Sequence, residues 1–333
     1  MAKKVSIYDI ADRLKISPST VSRALSRSSL VNVQTKMLVS KTAEEMGYID
    51  HKTPSNANTI AIIVPEFNNY FYSEVISSIQ NSIKNKYLLS IYCSFNSFKI
   101  EKEIVSKMNP DHIRCLIISQ SMDSEDSSHI KDIEKKGIPI ILFNRVNYNF
   151  NSPKFLIDNY RDSYLLTEHL LSSGYNKIAF AAKHFNCQIY KERVQAYKDV
   201  LIENNIGFNP DYLLYSELTL DDTHDVISRF INLKSRPDAL ILPTFISALQ
   251  AISIAKINNI STPEEMAIVS FDGDPECRYS SPSITGIERP CTEIGSKIGQ
   301  LSLEICDNKI YDKNTTKIFH SNLIIRGSSL SIF

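Results

Sequence analysis

The sequence of 333 residues has only nine glycines, and they are scattered along the chain. It contains no glycine-rich phosphate loop, and it lacks the G-x-S-x-G and H-E-x-x-H motifs of serine hydrolases and zinc proteases. Its seven histidines show no paired metal-ligand spacing. These absences predict a protein that is not an enzyme and that needs neither a metal ion nor a cofactor.

Long apolar runs and paired cysteines are absent as well. No stretch reaches the ~18 apolar residues that a membrane helix needs. Polar side chains interrupt the segment after Lys4, where a signal peptide would have its apolar core. The six cysteines are scattered without a C-x-x-C pair, which is typical of reduced thiols. We therefore expect a soluble, cytoplasmic protein with no membrane partner.

The chain has no excess of either charge, since it holds 37 basic and 37 acidic residues. The distribution is uneven, because residues 1–52 carry nine basic and five acidic side chains, a net charge of +4 that leaves −4 for the rest. A basic segment joined to a mildly acidic body favours nucleic-acid binding by that segment.

Two short helices are predicted in the basic segment. Ser6 is a suitable N-cap, and apolar side chains recur at helical spacing from Ile7 to about Leu14. After a three-residue turn, Ser17 is a second N-cap and Pro18 occupies the first helical position, where proline is tolerated. Two helices joined in this way form a helix-turn-helix arrangement, whose second helix fits the major groove of DNA.

The second helix is predicted to have an apolar and a polar side. Val21, Ala24 and Leu25 point inward, whereas hydroxyl groups and the guanidinium of Arg23 lie outward. A third helix is predicted from about residue 33 to residue 46, capped by Asn32. Its apolar residues are expected to complete a small core: Val33, Met37, Val39, Ala43 and Met46.

Three segments carry a family resemblance: V-S-I-Y-D-I-A at residues 5–11, V-S-R-A-L at 21–25 and E-E-M-G-Y at 44–48. They are similar, without gaps, to the headpiece of the lactose/galactose repressor family of bacterial transcription regulators. The resemblance implies that operator DNA is the partner of this segment. A helical module that binds another protein is the alternative.

The resemblance also implies which residues contact DNA. The start of the second helix reads bases, which places Pro18, Ser19 and Arg23 at the groove. Five further residues mainly hold phosphates: Ser6, Tyr8, Thr20, Ser22 and Ser26. Arginine can donate two hydrogen bonds to guanine, and hydroxyl groups suit phosphate oxygens. Pro18 can offer only an apolar contact.

A short linker is predicted at residues 50–58, between a headpiece at 1–49 and a core at 59–333. Members of the family usually carry a hinge helix here, whose leucine enters the minor groove. In this chain the segment has neither leucine nor arginine and is rich in turn-forming residues. We therefore expect an extended tether without a minor-groove wedge.

The core is predicted to be an α/β structure. From Thr59 onward, apolar runs of four to seven residues alternate with amphipathic helices, which is typical of parallel sheets covered on both faces. Two similar halves form two doubly wound lobes, and a late strand and helix, at residues 283–288 and 292–306, cross between them. The core resembles periplasmic sugar-binding proteins, as the family's regulatory cores do.

An effector site is predicted between the lobes, because ligands of open α/β sheets bind outside the carboxyl ends of the strands. The strand-end rule and the resemblance select the same eight residues: Phe71, Tyr72, Asn144, Arg145, Arg193, Thr244, Phe245 and Asp272. An aromatic face with charged and amide groups suits a sugar. Two structural alternatives are open, namely Phe71 as a core residue and an inter-lobe salt bridge between Arg193 and Asp272.

The negative charge of this site is lower than the family pattern implies, because Asn144 and the pair Thr244-Phe245 replace residues that are often acidic. The effector is therefore expected to be less rich in hydroxyl groups, or an anion such as a sugar phosphate.

Together these patterns predict a homodimeric, sequence-specific DNA-binding transcription regulator, a repressor, which is controlled by a small carbohydrate-like effector between two lobes. The chain stops at Phe333, directly after the last core motif, so no tetramerisation helix is expected. The rival prediction is a solute-binding protein of an uptake system.

Overall fold

A computed structural model describes residues 5–25, 31–46, 48, 59–84, 86–124, 126–183, 187–217 and 219–330. The chain divides near residue 58 into two compact units, the headpiece and the core. The linker prediction for residues 50–58 and the predicted phosphate contact Ser26 lie outside the described residues.

The described headpiece contains helices α1 (Ile7–Leu14), α2 (Pro18–Leu25) and α3 (Val33–Glu45). Ser6 and Asp9 form a capping box on α1, in which the Ser6 N–H donates to the Asp9 carboxylate at 2.8 Å. The Ser17 hydroxyl accepts from the Thr20 N–H at 3.0 Å and so caps α2. The predicted helices and their N-caps are confirmed.

The headpiece core is built from one face of each helix. Ile10, Val21 and Val39 are fully buried. The prediction for α3 is wrong at Met37, whose side chain is 70% exposed. At 3.6 residues per turn, Met37 lies about 200° around the helix from Val39. The inward face of α3 therefore excludes Met37 and includes Ala43, which is buried.

The first lobe of the core is a parallel sheet of order β11-β5-β4-β3-β1-β2. Its strands are β1 (Thr59–Val64), β2 (Leu88–Cys93), β3 (Ile113–Ile118), β4 (Ile140–Phe143), β5 (Lys154–Ile157) and β11 (Thr316–Phe319). Its helices are α4 (Tyr70–Ile83), α5 (Phe98–Ser106), α6 (Ser128–Lys135) and α11 (Cys291–Cys306). Strand β4 is buried at every residue, as a strand covered on both faces should be.

The second lobe has the sheet order β12-β10-β9-β8-β6-β7, in which only β12 runs antiparallel to its neighbour. Its strands are β6 (Ile178–Lys183), β7 (Leu213–Ser216), β8 (Ala239–Leu242), β9 (Ala267–Ser270), β10 (Thr285–Glu288) and β12 (Asn322–Ile324). Its helices are α7 (Asn159–Ser172), α8 (Gln188–Glu203), α9 (Leu220–Ile231) and α10 (Phe245–Ile257).

The predicted fold class, a helical headpiece and an α/β core of two lobes, is confirmed. The predicted crossing is confirmed as well, since β10 belongs to the second lobe whereas the next helix, α11, packs on α4 of the first. Helix α4 begins at Tyr70 because Asn69 caps it by accepting from the Phe71 N–H at 3.0 Å. Among the described helices, none is long and apolar enough to cross a membrane.

Helices α4 and α11 approach each other through small residues. A Cβ atom added at Gly295 would lie 2.5 Å from the Cβ of Ser78, and one added at Gly299 would lie 2.5 Å from the Cβ of Ser82. Carbon atoms do not approach so closely without displacement, so any larger residue on this face of α11 would push the helices apart.

We expect Gly295→Ala to lower the unfolding free energy of the core by about 1–3 kcal/mol, because the new methyl group overlaps α4. The melting temperature measured by circular dichroism checks this. Gly207→Ala is the matched control, since nothing lies within 4 Å of a Cβ at that position, and it should leave the melting temperature unchanged or slightly raised. Equal melting temperatures for the two variants would contradict the close helix contact.

Candidate functional site

Helix α2 has a polar outer face backed by the headpiece core. Ser19, Ser22 and Arg23 are exposed, whereas Val21 and Ala24 are buried at 0% and 2% exposure. Pro18 is half-buried at the first position of the helix. The residues predicted to read bases therefore share one helix, which the core holds in place.

The predicted phosphate contacts differ in how free their hydroxyl groups are. Tyr8 is 68% exposed on α1. The Thr20 hydroxyl lies 2.7 Å from the Ser17 hydroxyl at the start of α2. The Ser6 hydroxyl donates to Asp9 at 2.6 Å within the capping box, so Ser6 caps the start of α1. DNA contact by these residues stays a prediction.

In the core, a polar network lies at the carboxyl end of the first sheet. Asn144, in a left-handed conformation with φ of 57°, donates from its side-chain amide to the Tyr72 hydroxyl at 2.8 Å. That hydroxyl also lies 3.1 Å from the Ser119 hydroxyl. Burial raises the pKa of Tyr72, so the phenol stays protonated. Sequence reasoning missed Ser119, although it directly follows β3.

Arg145 is fixed beside this network. Its Nη1 donates to Asn96 Oδ1 at 2.5 Å, and its Nη2 lies 3.6 Å from Glu66 Oε1. The guanidinium also lies 6.0 Å from the centre of the Tyr72 ring. The structure thus brings Tyr72, Asn144 and Arg145 together, as the strand-end rule predicts.

Asp272, two residues after the second-lobe strand β9, has both carboxylate oxygens engaged. Oδ1 accepts from Arg289 Nη2 at 2.6 Å, and Oδ2 accepts from the Phe245 N–H at 3.2 Å. Both side chains of the ion pair are at most 10% exposed. The alternative of a salt bridge between Arg193 and Asp272 is therefore wrong, because Arg289 takes the carboxylate.

Arg289 is a site residue that sequence reasoning missed. It follows the last residue of β10, so the strand-end rule applied to that strand selects it. Its guanidinium lies 4.8 Å from the centre of the Phe71 ring and 3.7 Å from Asp274 Oδ1. Burial alone would lower the pKa of Arg289, but Asp272 and Asp274 outweigh burial and raise it. Burial and the nearby Asp272 raise the pKa of Asp274 to about 7.

Three predicted effector residues have structural roles. Phe71 is 1% exposed within the first-lobe core, which is the alternative that the sequence left open. Phe245 packs against the second-lobe core. The Thr244 hydroxyl caps α10 by accepting from the Ser247 N–H at 3.1 Å. A contact between these residues and an effector stays a prediction.

Arg193 on α8 is 7% exposed, and its guanidinium lies 3.9 Å from the centre of the Phe271 ring. Burial lowers its pKa. Asp162 on α7 is fully buried, with one oxygen accepting from the Ser321 hydroxyl at 3.1 Å. Burial raises the pKa of Asp162 to about 6, against the opposing effect of Arg193.

A pocket of about 360 Å³ adjoins the Asp272–Arg289 ion pair, and none of the eight predicted effector residues lines it. It is rich in acidic side chains, and its lining is Tyr70, Glu74, Asp274, Pro275, Glu288, Arg289, Pro290, Cys291, Thr292, Glu293 and Asn322. Arg289 and Asp274 connect this pocket to Asp272 after β9, and an effector site at the strand ends stays a prediction.

We expect Asp272→Asn to lower the unfolding free energy by about 2–5 kcal/mol, because it leaves the buried Arg289 without its closest counter-charge. Urea unfolding measures the loss. Asp132→Asn is the matched control, since Asp132 pairs with Lys135 at 3.0 Å but is 64% exposed, and it should cost at most ~0.5 kcal/mol. Equal losses in the two variants would refute a special role for the Asp272–Arg289 ion pair.

The buried Asp162 should make stability depend on pH. Its pKa is about 6 in the folded protein, against an ordinary value of 3.8. The folded state therefore binds more protons within this window, and the wild type loses stability as pH rises through it. Asp162→Asn does not titrate, so its stability relative to wild type should increase by about 3 kcal/mol from pH 4 to pH 7. A stability difference that is flat across this range in urea unfolding would show the prediction wrong.

Comparisons with known proteins agree with this geometry. Residues 6–50 match the family of bacterial regulatory proteins named lacI, and residues 167–329 match a periplasmic binding protein-like domain. The transcriptional repressor CytR of Escherichia coli (strain K12) is 26% identical, over 98% of this chain and 97% of its own length.

Solved structures share the fold. The transcriptional regulator CelR, in complex with cellobiose, superposes with a TM-score of 0.73 at 18% identity, covering 98% of this chain and 100% of that chain. The Lac repressor dimer bound to operator and an anti-inducer gives a TM-score of 0.71 at 17% identity, covering 99% and 100%. The matched regulatory proteins act on transcription and are not enzymes. The chain therefore carries a headpiece of the lacI family of bacterial regulatory proteins together with a periplasmic binding protein-like domain, and it is a DNA-binding transcription regulator.

Proposed function

We propose that this chain is a homodimeric repressor that reads operator half-sites with two headpieces and responds to a small carbohydrate-like effector in the core. The observation that carries the proposal is the polar outer face of α2, held on a helix-turn-helix scaffold. Residues 1–49 would bind DNA, residues 50–58 would link the domains, and residues 59–333 would bind the effector and dimerise. Because its target is operator DNA, we place the protein in the cytoplasm.

The chemistry of the α2 face supports DNA recognition. The Arg23 guanidinium can donate two hydrogen bonds to a guanine edge, and the hydroxyls of Ser19 and Ser22 are short donors suited to the groove and to phosphate. A single headpiece would make few contacts, so two headpieces on a palindrome are needed for useful specificity. The solved Lac repressor is a dimer on its operator.

An exposed apolar edge of the first lobe supports self-association. Leu88, Ile91 and Tyr92 lie on β2, which is an edge strand, and they are 70%, 43% and 36% exposed. An uncovered edge strand of this kind is prone to association with another chain. A second copy of this chain would cover it in the proposed dimer.

The two-lobed core supports control by an effector. The Tyr148 hydroxyl, in the loop after β4, donates to Glu192 on α8 at 3.4 Å and so joins the two lobes near the strand ends. A ligand that binds one degree of lobe closure more tightly would shift the population towards it. The solved CelR complex holds cellobiose, and a sugar or a sugar phosphate is the class we propose here.

The rival function, a solute-binding protein of an uptake system, shares the two-lobed core. The helix-turn-helix headpiece counts against it, since uptake needs no DNA contact. Fluorescence anisotropy with palindromic DNA over a series of salt concentrations separates the two functions. The regulator should bind with an affinity that falls steeply with salt, because phosphate contacts release counterions. Absent or salt-independent binding would favour the rival.

We expect Arg23→Ala to weaken operator binding by about 1–3 kcal/mol and to relax the preference at one base pair, because a bidentate contact to guanine is lost. Competition binding against operators with single base-pair changes measures the preference. Arg13→Ala is the matched control for charge, since Arg13 lies on α1 in an exposed pair with Glu45. It should weaken binding uniformly. Unchanged selectivity in Arg23→Ala would refute base reading by Arg23.

A further inference from the structure

The strands of the first lobe begin at an edge that is rich in lysine, the amino edge of this lobe. Four loops lead from the end of a helix to the start of a strand there, at residues 84–87, 107–112, 136–139 and 307–315. These loops hold six lysines and three aspartates, a net charge of +3. Because all strands of this sheet are parallel, its helix-to-strand loops lie at one edge and their charges add up there.

The second lobe has the same alternation of helices and strands without this positive charge. Its helix-to-strand loops, at residues 173–177, 204–212, 232–238 and 258–266, hold three basic and four acidic residues, a net charge of −1. The chain after residue 52 has a net charge of −4. The positive amino edge is therefore a local feature of the first lobe and not a property of the core.

Three helices of the first lobe end on a lysine. The C-cap residues of α4, α5 and α6 are Lys84, Lys107 and Lys136. The structural explanation for a lysine at this position is its attraction to the negative end of the helix dipole. The second-lobe helices α7 to α10, however, end on one serine and three asparagines. Helix ends in this fold do not require a cation, so the lysines of the first lobe call for a further explanation.

Five lysines of the amino edge are available to a partner. They are exposed, and none of them forms an ion pair within the described part of the chain: Lys84, Lys107, Lys136, Lys309 and Lys317. Two neighbouring carboxylates are already paired with other lysines, since Asp307 lies 2.7 Å from the Lys86 ammonium and Glu134 lies 2.8 Å from that of Lys313. The edge therefore offers exposed ammonium groups that an anionic partner can neutralise.

The chain enters the core at this same edge. Thr59 is the first residue of β1, and the predicted linker precedes it directly. A linker of nine residues spans at most about 30 Å, so it can bring the amino edge to the DNA that the headpiece binds. Duplex DNA carries one negative charge per ~1.7 Å of its axis, and lysines that neutralise its phosphates gain affinity by releasing counterions.

We propose that the amino edge of the first lobe binds the sugar-phosphate backbone of the operator, as a second DNA-contacting surface besides the headpiece. Exposed ammonium groups on flexible stems are point charges without a fixed hydrogen-bonding plane, which suits phosphates better than base edges. The inference rests on the operator binding of the proposed function, and it adds affinity without adding sequence preference.

The test measures the affinity of the full chain for a palindromic operator that the wild type has selected from random duplexes. Fluorescence anisotropy over a series of salt concentrations gives the Kd and its salt dependence. One variant combines Lys107→Gln, Lys136→Gln and Lys309→Gln. It should raise the Kd about tenfold and lower the slope of log affinity against log salt by about 1 for each phosphate contact that is lost.

The matched control removes three exposed lysines from the second lobe, by Lys177→Gln, Lys234→Gln and Lys256→Gln. It changes the net charge by the same amount and should leave the Kd and the salt slope as in the wild type. Competition against operators with single base-pair changes is the second readout. The first-lobe variant should keep the wild-type preference, because phosphate contacts carry no sequence information. A changed preference would trace the loss to the headpiece and overturn the proposal.

The remaining outcomes are also decisive. A first-lobe variant with the Kd and the salt slope of the wild type overturns the proposal and favours an acidic protein as the partner of this edge. Equal losses in both triple variants are a general effect of net charge and overturn it as well. Where the first-lobe variant does not fold, as judged by circular dichroism, Lys136→Gln alone replaces it and should lower the salt slope by about 1.

Operator binding by the wild type distinguishes this inference from the proposed function. A wild type that binds the operator while the first-lobe variant binds it equally well loses only the second surface. A wild type that binds no operator loses the proposed function, and this inference with it.

Discussion

The ion pair between Asp272 and Arg289 is the interaction on which the effector cleft depends. Asp272 follows a strand of the second lobe, whereas Arg289 lies on the segment that crosses to the first lobe and contacts Phe71 there. The Arg289 guanidinium thus contacts Asp272 of the second lobe and Phe71 of the first lobe, and it lies on the segment that connects the two. Because removal of either partner would leave a buried charge, the carboxylate is reserved for Arg289. A contact between Asp272 and an effector stays a prediction.

Because Asp272 pairs with Arg289, it forms no ion pair with Arg193. Asp272 lies close enough to Arg193 to act on it electrostatically, but its two oxygens are engaged by Arg289 and by a backbone N–H. The second lobe therefore retains a buried arginine whose Nε–H has no hydrogen-bond partner among the described residues. In the first lobe, by contrast, the Arg145 guanidinium has side-chain partners, since it donates to Asn96 and pairs with Glu66. The two predicted effector arginines therefore differ, because Arg145 has side-chain partners and the Nε–H of Arg193 has none among the described residues.

The sequence predicts what is determined locally. The capping hydroxyls of Ser6 and Ser17 and the apolar spacing around Val21 depend on neighbours within one or two turns, and they were predicted correctly. Met37 was not, because its exposure depends on which face of α3 the other two helices cover. The choice of Arg289 over Arg193 as the partner of Asp272 depends on residues far apart in the chain. Arg289 follows β10 whereas Arg193 lies on α8, and only the fold shows that Arg289 is the partner of Asp272.

The small residues on α4 and α11 belong to the same non-local arrangement. Gly295 and Gly299 let α11 lie directly against α4, and α11 begins two residues after Arg289. The close helix contact therefore fixes the start of α11, and with it the backbone that carries Arg289 to the Phe71 ring. A shift of α11 away from α4 would draw Arg289 away from Asp272. Helix packing in the first lobe thus helps to position the guanidinium that pairs with Asp272 in the second lobe.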